Sequence, residues 1–186
     1  LSGDRLTSGH GMLMVIGFVG ALIALERSVA IKRRWAHGAP VCMALGSLLT
    51  LVGPLPVRAG RAVMVAGCLV LCVNYVVLWS RNREPLVAVQ IGGGISALCG
   101  TIVWLGGAAV PSLVPFLISF LVLTVIAERL DLSRIGQLAW SPDRRRRHED
   151  SLVLLSALSV LVGPAAMARP TIGLPVHGLV LIALAV

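Results

Sequence analysis

The chain has 186 residues, 57% hydrophobic and 13% charged, with a formal net charge of +8 and a mean hydropathy of +0.93. Soluble globular domains carry about 25% charged residues, so this composition excludes a soluble domain and points to a single polytopic α-helical transmembrane domain, a bundle over residues 1–186. The basic balance is no nucleic-acid footprint either, because the cations sit in short segments beside apolar runs, where anionic lipid head groups are the nearer partner.

Uncharged runs define the elements. A helix needs about 20 predominantly apolar residues to cross a hydrocarbon core of roughly 30 Å. Leu6 to Leu25 gives a first span near 6–27, with a stripe of small residues at Gly17, Gly20 and Ala24 and a closing Glu26-Arg27. Its charged flank, Lys32-Arg33-Arg34, follows the apolar stretch, so the run does not read as a cleavable signal peptide. Trp35 to Val57 gives a second span near 36–57, and Ala62 to Ser80 a third near 62–80. Pro85 to Ala127 is too long for one crossing, since a single helix there would measure about 65 Å. Gly106-Gly107 followed by Pro111 supplies the turn, dividing the run into spans near 86–106 and 110–128. The polar segment Glu128 to Asp150, with Arg144 to Arg147, reads as a solvated topology anchor. Spans near 151–168 and 171–186 complete a count of about seven. The chain opens on Leu1 and stops inside an apolar run at Val186, so further helices are expected beyond it.

Orientation follows from the rule that retained cytoplasmic loops carry the excess of Lys and Arg. With seven spans and the amino terminus outside, twelve basic residues fall inside and four outside, namely Arg5, Arg58, Arg61 and Arg169. A single crossing over 85–127 would flip the later loops and leave seven inside against nine outside. The hairpin is the consistent reading, in a bacterial inner membrane with lipid as the immediate partner.

Within lipid, close helix contact relies on small residues, and the fourth span is rich in them: Gly92-Gly93-Gly94, Ser96, Ala97 and Gly100. Asn74 and Gln90 need polar partners across the bundle. Glu26-Arg27 and Glu128-Arg129 both close helices running inward, and neighbours in sequence do not face each other on a helix. Pairing is therefore expected between helices, Glu26 with Arg129 and Glu128 with Arg27, or else the side chains snorkel to the interface. Cys42, Cys68, Cys72 and Cys99 all lie in spans, where an extracellular disulfide framework has no place. Cys68 and Cys72 share a helix face, as packing residues or as a metal or redox pair.

Two histidines stand in matching contexts at the outer ends of inward-running spans, Ser8-Gly9-His10-Gly11 and Pro175-Val176-His177-Gly178. Both are expected in a first helical turn, whose unpaired N–H groups disfavour imidazolium and so favour the neutral, metal-binding ring. Met14, one turn below His10, adds a soft thioether. Either these residues hold haem or copper, or each imidazole is an interfacial polar group bonded to a carbonyl.

The run His10-Gly11-Met12-Leu13-Met14-Val15-Ile16-Gly17-Phe18-Val19-Gly20, continuing to Ala30, resembles the first helix of bacterial NnrS-like membrane proteins, a family akin to haem-copper oxidase subunit I. The resemblance implies a many-helix inner-membrane protein associated with haem and copper and with nitric oxide resistance or electron transfer. It carries a ligand role to His10, with Met14 in the matching motif, and His177 is assigned by its similar context. Two other classes remain beside this metal-binding reading. One is a secondary transporter, whose Gly- and Pro-interrupted helices would build a site near the midplane. The other is a structural or assembly subunit, a homo-oligomer included. Hydrolytic chemistry finds no support, because the chain has no His-Glu-x-x-His zinc motif or phosphate-cradling loop.

Overall fold

Backbone N–H and C=O groups in an apolar chain have to bond internally, and helices do so within one segment. The computed structural model describes residues 3–52, 56–133 and 142–185, and is all-α, with no strand among them. Helix α1 covers residues 3–31; a 3-10 turn at Arg34–His37 leads into α2, Gly38–Val52. Then come α3 (Val57–Arg81), α4 (Pro85–Leu105), α5 (Val110–Ser133), α6 (Pro142–Ala168) and α7 (Pro170–Ala185). Proline opens α4, α6 and α7, where its missing N–H costs nothing. The turn between α4 and α5 falls at Gly106-Gly107, with Gly107 at φ 103°, a conformation only glycine adopts without strain.

Helices extend past the uncharged runs. Hydropathy marks the part of a helix that can sit in hydrocarbon, whereas hydrogen bonding decides where the helix stops. α1 carries on through Glu26 and Arg27 to Ile31, and α6 begins at Pro142, so Arg146 and Arg147 lie exposed on a helix rather than in a loop. Among the described residues five segments are long and apolar enough to cross a membrane: Arg5–Ile31, Arg34–Val52, Val57–Arg81, Pro85–Leu105 and Val110–Glu128. The apolar stretch Thr171–Leu184 is shorter.

Successive helices pack antiparallel, giving the bundle an amino-terminal end, where α1, α3, α5 and α7 begin, and a far end. α2 and α3 approach most closely. A Cβ on Gly46 would stand 2.7 Å from the carbonyl oxygen of Gly60, and one on Gly67 would stand 2.9 Å from the amide nitrogen of Met43. Glycines on α4 serve two neighbours: Gly93 and Gly100 face Thr124 and Phe116 of α5, and Gly94 faces the Tyr75 ring of α3. Two apolar clusters result. The larger joins α1 to α5 through Met12, Ile16, Met43, Met64, Leu71, Trp104 and Phe120. The smaller joins α4, α5, α6 and α7 through Val89, Leu123, Leu152, Val180 and Leu184.

α1 is not uniform. It is α-helical at Gly3–Met12, π-helical over Leu13–Gly20, and α-helical again at Ala21–Ile31. The wider stretch turns Gly17 against the Ser47 hydroxyl and Gly20 against the Met43 sulfur and the Phe120 ring, while Met14 and Phe18 point away from the core.

Candidate functional site

Buried serine and threonine hydroxyls in an apolar helix usually bond back to their own chain, one turn earlier. Thr50 donates to the Gly46 carbonyl at 2.7 Å, Thr101 to Ala97 at 2.9 Å, and Thr124 to Phe120 at 2.7 Å. Ser119 and Ser159 instead reach between helices. Their hydroxyl oxygens lie 2.9 Å apart, and Nε2 of His177 stands 2.8 Å from Ser119 Oγ and 3.4 Å from Ser159 Oγ. All three residues are buried, His177 at 3% exposure, so α5, α6 and α7 meet at a closed triangle of an imidazole and two hydroxyls.

The three helices share a second property. α5 contains Pro115, α6 Pro164 and α7 Pro175, each inside the helix. Every one lies on the amino-terminal-end side of the polar residue its helix contributes. An interior proline removes the donor that would serve the carbonyl four residues earlier, here Pro111, Val160 and Thr171. Three helices with weakened ladders therefore surround one buried ionisable group. At about 1.5 Å rise per residue, the triangle lies about 10–14 Å in from the helix ends at Val110, Ala168 and Pro170.

Chemically, the triangle can relocate a proton. Each hydroxyl both donates and accepts, and neutral imidazole has one nitrogen of each kind. With Nε2 bare, Ser119 donates to it. With Nε2 protonated, the ring donates to Ser119, which turns its own hydrogen toward Ser159. Among the described residues no charged side chain bonds to this group.

The sequence-derived candidates occupy separate environments. His10 is exposed on α1, Met14 is 47% exposed on the outside of the π-helical stretch, and His177 is inside the bundle. Neither histidine is in a first turn: α1 is already helical from Gly3 and α7 from Pro170, with Pro175 inside the helix rather than opening it. The helix-end argument for a neutral ring therefore lapses. The glycines beside them differ as well. A Cβ on Gly11 would press on Val110 at 2.9 Å, so that glycine serves packing, whereas Gly178 has nothing within 4 Å. Among the described residues no three His, Cys, Asp or Glu side chains gather closely enough to hold a metal ion. His10 and Met14, on the outside of α1, and His177, inside the bundle, thus stand in different surroundings.

At the far end, Arg27 Nη2 lies 3.1 Å from Glu128 Oε1 and also 3.1 Å from Glu26 Oε1. The guanidinium of Arg27, whose side chain is only 17% exposed, thus bridges its neighbour Glu26 and Glu128 of α5. The other pairing considered, Glu26 with Arg129, falls outside the described side chains. Asn74 Nδ2 donates to the Ala36 carbonyl at 3.1 Å and so ties α3 to the 3-10 turn; Gln90 lines a small cavity with Arg27 and Glu128. All four cysteines are free thiols.

The serines escaped notice in the sequence because isolated hydroxyls in apolar runs look alike. The internal prolines were the available signal, but proline was read only as a turn marker, at Pro111.

Together these features define an all-helical bundle with several helices long and apolar enough to cross a membrane and a buried polar triangle. The chain belongs to the family described as a domain of unknown function, DUF8744, which matches residues 1–186. No curated protein and no solved structure matches it.

Proposed function

We propose that the protein is a proton-coupled secondary carrier of a bacterial inner membrane, with seven spans, its amino terminus outside, and His177 as the protonatable group. The observation that carries this reading is the cross-helix triangle of His177, Ser119 and Ser159 inside three proline-interrupted helices. Ionisable groups within spanning helices are costly to keep and mark ion or proton paths. Helices interrupted at corresponding depth are where carriers place their sites. The proton enters at the imidazole, passes through the serine hydroxyls and leaves when the helices around the prolines rearrange. For the test, full-length protein in liposomes on a solid-supported electrode is challenged with small organic acids, amines and sugars under an inward pH gradient. Wild type is expected to give a transient current with at least one solute, falling at least tenfold in His177→Ala. Current that survives in that variant, or none from any solute, counts against the carrier.

The haem or copper reading is second, and one observation favours it. The eight-residue π-helical stretch Leu13–Gly20 coincides with the part of α1 that resembles NnrS-like proteins, and π-helical segments recur at functional sites. A Soret band or bound copper in the same purified protein, lost in His10→Ala or His177→Ala, would favour it over the carrier.

A further inference from the structure

A second polar site lies at the amino-terminal end of the bundle, away from His177. A cavity of about 330 Å³ opens there between α1, α2, α3 and α4, with Arg5, Ser8, Thr50, Arg58, Arg61 and Trp104 among its walls. Among the described residues its lining holds three guanidinium groups and two hydroxyls and no carboxylate. Arg58 and Arg61 are three residues apart on α3 and so share one face, an arrangement that like charges oppose unless something of opposite sign lies between or beside them.

Arg61 is held rigidly. Its Nη1 donates to the Trp104 carbonyl at 2.7 Å, and its guanidinium sits 4.4 Å from the centre of the Trp104 ring. Trp104 is buried, so cation and ring form one fixed wall. Arg61 Nε is also buried, without a hydrogen-bond partner among the described residues. With Nε buried, Nη2 and the second hydrogen of Nη1 remain as donors to the oxygens of a phosphate or carboxylate. The α3 helix begins beside the same cavity, adding the partial positive charge of its first turn.

We infer that this cavity binds a phosphate group. Its volume lies at the small end of ligand sites, enough for a phosphate with a short organic substituent. Two sources present that chemistry here: a free phosphate monoester, or the head group of an anionic phospholipid, since helix ends of a membrane bundle sit at lipid head-group level. The inference does not rest on the carrier reading, because no residue of the triangle takes part.

The test uses the full chain purified in a neutral detergent. Thermal unfolding is followed with inorganic phosphate titrated from micromolar to tens of millimolar, and separately with short-chain phosphatidylglycerol or phosphatidylcholine. Arg58→Gln is the main variant, because it removes a charge without touching the Arg61–Trp104 contact. Arg61→Gln is the second, and Arg33→Gln, exposed near the far end, is the control. Stabilisation by phosphate alone assigns a soluble ligand; stabilisation by phosphatidylglycerol but not phosphatidylcholine assigns a lipid head group. In either case apparent affinity is expected to fall at least tenfold in Arg58→Gln and to hold in Arg33→Gln. Binding that is absent from wild type, or equal in wild type and Arg58→Gln, overturns the site.

Discussion

A hydroxyl buried in an apolar helix can be satisfied by its own backbone or by another helix, and the difference decides what its removal costs. Thr124→Ala deletes a bond that never leaves α5, whereas Ser119→Ala strips the nearest partner from His177 Nε2 and leaves only Ser159 at 3.4 Å. Orphaning a buried polar group costs about 1–3 kcal/mol, while losing a local back-bond costs about 1 kcal/mol or less. Denaturation in mixed micelles is therefore expected to show Ser119→Ala clearly below Thr124→Ala in stability, with Ser119→Thr partly restoring it. Equal losses would mean that His177 draws nothing from the serine. Residue identity was legible here only by half. His177 stood out because its context matches that of His10, but its partners lie 58 and 18 positions away along the chain, a relation created by packing alone.

At the scale of the helix, the uncharged runs located every element, including the division of 85–127 at Gly106-Gly107. They mislaid the ends, because apolar content measures solubility in lipid while the cap measures where hydrogen bonding stops. The glycine pattern on α4 was visible as a cluster, yet the tightest interface is between α2 and α3, whose Gly46, Gly60 and Gly67 are too widely spaced to catch the eye. That interface predicts a contrast. Gly60→Ala would place a methyl group 2.8 Å from the Gly46 carbonyl oxygen, so backbones must separate, at about 1–3 kcal/mol for overpacking. Gly178→Ala meets open space and is expected to be neutral, or to gain up to about 1 kcal/mol from helix propensity. Melting temperatures of the two variants should move in opposite directions, or at least differ by several degrees.

The whole molecule is arranged for an apolar solvent. Large side chains such as Leu48, Leu69, Val76, Leu161 and Ile182 lie on the outside, and Ser28, Asn74, Thr101, Ser119 and His177 lie within. The charge asymmetry belongs to this scale too, since it is a property of loops summed over the chain and could be read before any contact was known. The surroundings of the two histidines were illegible for the opposite reason. Two similar local contexts say nothing about which way each helix turns its histidine, and α1 turns His10 outward while α7 turns His177 in. Topology gives the last prediction. With Cys42, Cys68, Cys72 and Cys99 replaced by alanine or serine, a cysteine at Gly107 is expected to react with a membrane-impermeant maleimide in intact cells. One at Asn82 should react only after lysis; the reverse pattern would invert the bundle.

α4 touches both apolar clusters, and much of its surface is Gly92, Gly93, Gly94, Ala97 and Gly100. Interlocked side chains act like gear teeth, each pair needing to disengage before one helix can advance past another. A rod stripped to its backbone over these positions has few such teeth. Of these positions Gly92 lies against Val160 and Ser156 of α6, so at that contact α4 offers α6 a bare stretch of backbone with few teeth to disengage.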